Sequence, residues 1–157
     1  MIIKLIAIGK TDQKELEQLT QQYVQRLGHY VRLEWVIIPD IKSVKNLTED
    51  QQKEKEGQLI LGKVSSADVL ILLDENGKSM SSEEWADFLQ KKMNQGIKTL
   101  VFVIGGPYGF SSAMYARAHE KISFSKMTFS HQMIRLFFAE QLYRGFTILK
   151  NEPYHHR

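Results

Sequence analysis

Three apolar runs constrain this chain most: Ile2 to Ile8, Val69 to Leu73 and Thr99 to Ile104. Each reads as a buried strand. Between them the hydrophobic spacing changes to that of helices. Leu16, Leu19, Tyr23 and Leu27 recur at helical intervals, and so do Trp85, Phe88, Leu89 and Met93. Strand and helix patterns alternate from end to end, with no repeat, linker or low-complexity tract. That alternation predicts an α/β fold with a largely parallel sheet and helices on both faces. At 157 residues, the expectation is a single domain spanning 1–157.

Local signals set the expected boundaries. A first helix runs from Asp12 to Leu27, with Asp12 as N-cap, Glu15 three residues on and Gly28 as the stop. Val31, Leu33, Trp35 and Ile37 alternate with Arg32, Glu34 and Val36, a strand ended by Pro39-Asp40. A mobile loop, Asp40 to Leu47, then leads to an exposed, charged helix from Thr48 to Lys63 that opens with a Thr48/Gln51 capping box. Ser81 and Glu84 form a second capping box, and Gly96 ends that helix. A short helix is expected over Ser111–His119, a short strand over Ile122–Ser125 and a final helix over Gln132–Leu149.

Composition narrows the chemistry. The absence of cysteine excludes disulfides, a thiolate nucleophile and Cys-ligated metal, and fits a reducing cytoplasm. The apolar start, Met1 to Gly9, is too short for a signal segment or a membrane span. A net charge of +3 and a pI near 9.0 are compatible with a polyanionic partner without requiring one.

Three loops follow strands, where open α/β sheets place ligands. Gly105-Gly106-Pro107-Tyr108-Gly109 allows a sharp turn and close backbone approach. It matches neither the dinucleotide fingerprint nor a P-loop. Asp74-Glu75-Asn76-Gly77-Lys78 reads first as a solvated turn with Asn76-Gly77 at positive φ, and second as a source of acid–base groups. The hydroxyl-rich run from Ser123 to Gln132 precedes the last helix, which carries Arg135, Glu140 and Arg144 among apolar residues. His131 and Arg135 are four apart and share a face, suited to phosphate contact or to capping and ion pairing. Tyr154-His155-His156 lacks a third ligand at metal-binding spacing, so no metal site is expected. No G-x-S-x-G nucleophile elbow is present. Chemistry in which the protein mainly positions two reactants fits this inventory best.

In combination, Leu73-Asp74-Glu75-Asn76-Gly77-Lys78, Phe102 to Gly109, Ser123 to Gln132, Ala139 to Arg144 and Pro153-Tyr154-His155 resemble the RlmH family of the SPOUT superfamily. These are bacterial methyltransferases of large-subunit ribosomal RNA. The opening Ala7-Ile8-Gly9-Lys10 and the run Lys53 to Gly57 match as well, so the resemblance covers nearly the whole chain. It implies a C-terminal deep trefoil knot, which pattern reasoning alone would not suggest. It implies S-adenosyl-L-methionine as cofactor, methyl transfer to N3 of a pseudouridine on the assembled ribosome, and a homodimer with shared active sites. Cofactor contacts carry over to Leu73, Gly105, Phe124, Ser125, Lys126, Met127, Thr128 and Phe129. The substrate side carries over to His131, Arg135, Arg144, Tyr154 and His155. His155 or His131 would take the N3 proton; Arg135 and Arg144 would hold phosphate or stabilise charge on the ring. Ser130 stands where the family commonly has proline, which removes a φ lock from the loop. Two other readings remain: a non-catalytic RNA-binding module with this fold, and a small-molecule enzyme using Asp74 and Glu75.

Overall fold

The structure, a computed structural model, describes residues 1–156. In chain order it contains β1 (Ile2–Ile8), α1 (Lys14–Leu27), β2 (Arg32–Ile38), α2 (Glu49–Leu61), β3 (Val69–Ser79) and α3 (Ser82–Asn94). β4 (Thr99–Ile104), α4 (Ser112–Arg117), β5 (Glu120–Ser123) and α5 (Met133–Leu149) follow. The strands form one sheet in the order β2-β1-β4-β3-β5. Every neighbouring pair is parallel.

Both faces of the sheet are covered, as the apolar runs require. On one face Leu5, Ile71 and Phe102 pack against Leu27 of α1, Trp85 and Leu89 of α3, and Phe138, Leu142 and Phe146 of α5. On the other, Ile6, Leu72 and Val103 pack against Ile60 of α2 and Met114 of α4. Burying side chains such as Phe138 or Leu142 contributes roughly 1.5–3 kcal/mol each. A directional contact accompanies the packing of α3 on α5: the Trp85 indole N–H donates to the Gln141 carbonyl at 2.9 Å.

Local signals in the sequence match these elements where the chemistry is local. Both capping boxes close in both directions, Thr48 with Gln51 and Ser81 with Glu84. Gly96 ends α3 at φ +72°. Three expectations are corrected. Asp12 does not cap α1. Gln13 takes that position without a side-chain bond, while Asp12 accepts from the Gln132 amide at 3.1 Å, at the far end of the chain. The stretch Asp74–Lys78 is not a turn at positive φ. β3 continues through it, shifting register after Leu73 so that Lys78 and Ser79 pair with Ile122 and Ser123. A Cβ on Gly77 would lie 2.6 Å from the Ile122 nitrogen, so close backbone approach accounts for that glycine. β5 begins two residues earlier than expected and ends at Ser123, leaving Phe124 and Ser125 in the following loop. The stretch from Asp40 to Leu47 contains a one-turn 3-10 helix, Val44–Asn46.

Candidate functional site: a cleft beside β3 at the ends of β4 and β5

A cleft of about 680 Å³ opens where β4 and β5 end, against the stretch Leu73–Asn76 of β3. This is the size of a small-molecule site. Leu73 closes one side and Gly105 another, and Phe124, Ser125, Met127, Thr128 and Phe129 form the third. The three segments singled out in the sequence therefore meet in space. Lys126 is exposed and is not on the cleft wall. His131 and Ile134 bound the cleft at the start of α5, and no residue beyond Ile134 lines it.

The loop from 124 to 130 is stapled by its own hydroxyls. Ser123 donates to the Ser125 carbonyl at 2.8 Å, and Ser125 Oγ accepts from the Met127 N–H at 3.0 Å. Thr128 donates to Glu75 at 2.8 Å, tying the loop to the shifted part of β3. Phe124 anchors the base of the loop, its ring lying 5.6 Å from Trp85 and 6.2 Å from Phe138. Ser130 replaces the missing proline lock with a cap: its Oγ accepts from the Met133 N–H at 3.1 Å.

The acidic residues Asp74 and Glu75 are engaged in holding this geometry. Asp74 accepts from the Asn76 N–H at 2.8 Å and from the Tyr115 hydroxyl at 2.5 Å. Burial, then the hydrogen bond and charge of Asp74, push the Tyr115 phenol up to about 12, so it remains a neutral donor. Among the described residues, no group of three or more His, Asp or Glu is placed to hold a metal.

Of the five side chains expected to serve substrate, His131 lies at the cleft and the other four divide into two places. Arg135 is 1% exposed. Its guanidinium donates to the Ile8 carbonyl at 2.7 Å, the Thr11 hydroxyl at 3.3 Å and the His131 carbonyl at 3.1 Å. Burial lowers its pKa, and Glu17, Asp40 and Asp12 oppose that shift. In this position it braces the start of α5 against the end of β1 instead of facing a phosphate, a correction to the sequence expectation. Arg144, Tyr154 and His155 form a separate cluster towards the end of α5, where Tyr154 meets Tyr23 of α1. Arg144 donates to Glu140 at 3.1 Å and approaches His155 Nδ1 at 3.2 Å. Its guanidinium lies 4.7 Å from the centre of the Tyr154 ring. Tyr154 donates to Glu140 at 3.0 Å. Burial, then Tyr23 and Glu140, raise the Tyr154 phenol well above its ordinary value. Tyr154 is thus a hydrogen-bond donor, not a base. The chain does not bring this cluster to its own cleft.

Residues 1–155 match the family model described as predicted SPOUT methyltransferase. The chain belongs to the SPOUT methyltransferase family. It is 68% identical to the ribosomal RNA large subunit methyltransferase H of Flavobacterium johnsoniae and 66% identical to that of Christiangramia forsetii, over the whole of both chains in each case. Identity to the protein of the same name from Parabacteroides distasonis is 60% over 99% of each chain. The RlmH resemblance seen in the motifs thus extends over the whole length. Sequence reasoning missed two side chains of this SPOUT methyltransferase, Tyr115 on the cleft wall and Glu56 behind it. Tyr115 lies in an amphipathic helix without a motif. Glu56 sits in the charged run Lys53 to Glu56, which reads as a solvated face, yet it is buried.

Proposed function

We propose that this chain transfers a methyl group from S-adenosyl-L-methionine to N3 of a pseudouridine in large-subunit ribosomal RNA. It acts on the assembled ribosome, in the cytoplasm, as a homodimer with shared active sites. One observation carries the reading: Leu73, Gly105 and the loop from Phe124 to Phe129 converge on one cleft in a chain that matches the SPOUT family from residue 1 to 155. The cleft suits the cofactor. Apolar Leu73, Ile104 and Phe129 offer surface for a purine, and the glycine turn lets a ligand approach the backbone. A Cβ at Gly105 would already stand 3.2 Å from the Phe110 ring. The path of the chain supports the implied trefoil knot. It leaves the sheet-edge strand β5 and lines the cleft beside β3 and the end of β4. It then reaches the end of β1 through Gln132 and Arg135.

The bound cofactor supplies an electrophilic methyl group on a sulfonium. The protein's tasks are alignment and control of the N3 proton. Arg144 can only donate, so in the contact seen here His155 accepts at Nδ1 and carries its proton on Nε2. That tautomer gives a hydrogen bond through Nε2. In this reading His155 and Arg144 of one subunit hold the uracil carbonyls in the partner's cleft as negative charge develops. His131, exposed at the cleft rim, takes the N3 proton. Lys126, exposed on the same loop, meets RNA phosphate, and Arg135 positions His131 through its carbonyl. The exposed apolar side chains Met127, Phe129 and Met133 supply surface for the partner subunit around the cleft.

The defining experiment is mass spectrometry of ribosomal RNA from cells with and without this gene. A methylated pseudouridine should disappear on deletion and return with the wild-type gene. An unchanged spectrum removes the reading, and retained cofactor binding would then leave the non-catalytic module. The histidine roles separate kinetically. His131→Ala should slow methyl transfer by roughly 10²–10⁴-fold with cofactor affinity unchanged. His155→Ala should cause a smaller loss. The reverse order would move the base to the tail.

A further inference from the structure

Tyr108 stands apart from the other aromatic side chains of this chain. Every Phe, every Trp and every other Tyr packs its ring near another ring. Among the described residues, Tyr108 alone has no ring partner, and its hydroxyl makes no hydrogen bond. It is 45% exposed and lines the cleft. A lone exposed apolar side chain is ordinary. This one, however, is held out by a fixed turn. The Gly109 N–H donates to the Gly106 carbonyl at 3.2 Å, the two glycines pair as an antiparallel bridge, and Gly109 takes φ +83°. Pro107 fills the first corner, where its fixed φ suits the turn, and Tyr108 fills the second. The Glu56 carboxyl of α2 fills the space beside Gly106 and backs the turn.

The same helix brings a cation to this rim. Lys53, three residues before Glu56 on α2, also lines the cleft. It pairs with Asp50 at 3.2 Å, and the Asp50 side chain is 89% exposed. A pair so open to water contributes little and yields readily to a phosphate. The acidic wall residues, Asp74 and Glu75, belong to β3 and are engaged by Asn76, Tyr115 and Thr128. Tyr115 is the other exposed tyrosine on the wall, but its ring already meets Phe110 at 5.9 Å and the Lys121 ammonium at 5.4 Å. The rim at the glycine turn thus offers an unused flat π surface and, from α2, a positive charge. An unpaired nucleotide presents the complement, a base to stack and a phosphate to neutralise.

We infer that Tyr108 is a stacking platform for an unpaired base of the RNA substrate at the cleft mouth, with Lys53 meeting a nearby phosphate. This rests on the proposal that the chain methylates RNA. A base that reaches a methyl donor in a cleft has left its neighbours in the RNA stack, which costs free energy. The tyrosine face offsets that cost. Because Pro107 and the Gly106–Gly109 bridge set the turn beforehand, little freedom is lost when the base arrives. The cofactor's purine has its own surface in Leu73 and Ile104, both less exposed than Tyr108, so the tyrosine is left for the substrate.

Methyl transfer to ribosomes purified from cells lacking this gene tests the platform, with calorimetry of S-adenosyl-L-homocysteine on the same proteins. Tyr108→Ala and Tyr108→Leu should raise the KM for ribosomes by about 5- to 100-fold, the range of one base–aromatic stack, and leave kcat within about twofold. Leucine keeps apolar area without a π face. Tyr108→Phe should stay within about twofold of wild type, and Tyr108→Trp should equal or improve on it. Cofactor affinity and melting temperature should be unchanged throughout, because the ring packs on no other ring and its hydroxyl bonds nothing. Lys53→Gln should reduce the salt dependence of ribosome binding by a slope of about one. A Tyr108→Ala protein with the wild-type KM overturns the platform. Tyr108→Leu matching Tyr108→Phe overturns stacking as its basis. Cofactor binding weakened as much as ribosome use assigns the ring to the purine and also overturns the inference. Wild-type protein that transfers no methyl group to these ribosomes overturns the proposed function, and the platform with it.

Discussion

Arg135→Ala is expected to lower the unfolding free energy by roughly 2–5 kcal/mol, a large part of the stability of a domain this size. The substitution leaves the buried Ile8 carbonyl without this donor, releases the His131 carbonyl and empties the space of a fully buried side chain. It should also weaken cofactor binding, because His131 and the end of the cleft loop are anchored through the same guanidinium. Denaturant unfolding followed by calorimetry checks both effects. Arg135→Lys should recover only part of the loss, since one ammonium cannot reach three acceptors in a planar fork. A phosphate-binding arginine behaves differently: its removal would leave stability and cofactor affinity intact and reduce the salt dependence of RNA binding. An Arg135→Ala protein as stable as wild type would restore that role.

Arg135 shows where sequence reading stops. An arginine four residues after a histidine, on an amphipathic helix, has the same local pattern whether it faces solvent or a strand end. The deciding contact, the Ile8 carbonyl, lies 127 residues away. The same holds for Asp12. Its spacing to Glu15 satisfies a capping rule, but Gln132 takes its carboxylate. By contrast, the boxes Thr48/Gln51 and Ser81/Glu84 were legible because both partners lie within one turn. The apolar runs likewise revealed the parallel sheet, since burial on both faces leaves a pattern in each strand separately. The course of β3 past Leu73 was hidden. Asp74-Glu75-Asn76-Gly77 has the composition of a turn, and Asp74 does bond the Asn76 N–H as in one. The pairing of Lys78 and Ser79 with β5 outweighs it and depends on a strand more than 40 residues later. The cleft's glycines and hydroxyls were visible as motifs. The carboxyl behind them was not, because burial of Glu56 is a property of packing.

Mixing two inactive variants is expected to restore methyl transfer. The first lacks the residues from Tyr154 onward and keeps an intact cleft. The second, Gly105→Val, keeps the tail but places two methyl groups where a single Cβ already meets Phe110 at 3.2 Å. Each variant alone should show almost no activity. The physical reason lies in the separation of the two clusters: no residue after Ile134 lines the cleft, while Glu140 joins Arg144 to Tyr154 and Arg144 in turn meets His155. If the partner's tail completes each cleft, a mixed dimer contains one site with both an intact cleft and an intact tail. Random exchange makes half of the dimers mixed, each with half its sites working, so recovery should approach about a quarter of wild-type activity. Tail sites acting within their own subunit would give no recovery at any mixing ratio. Light scattering on the same mixtures keeps the result interpretable: dimers without recovery exclude the shared site, and monomers exclude the dimer.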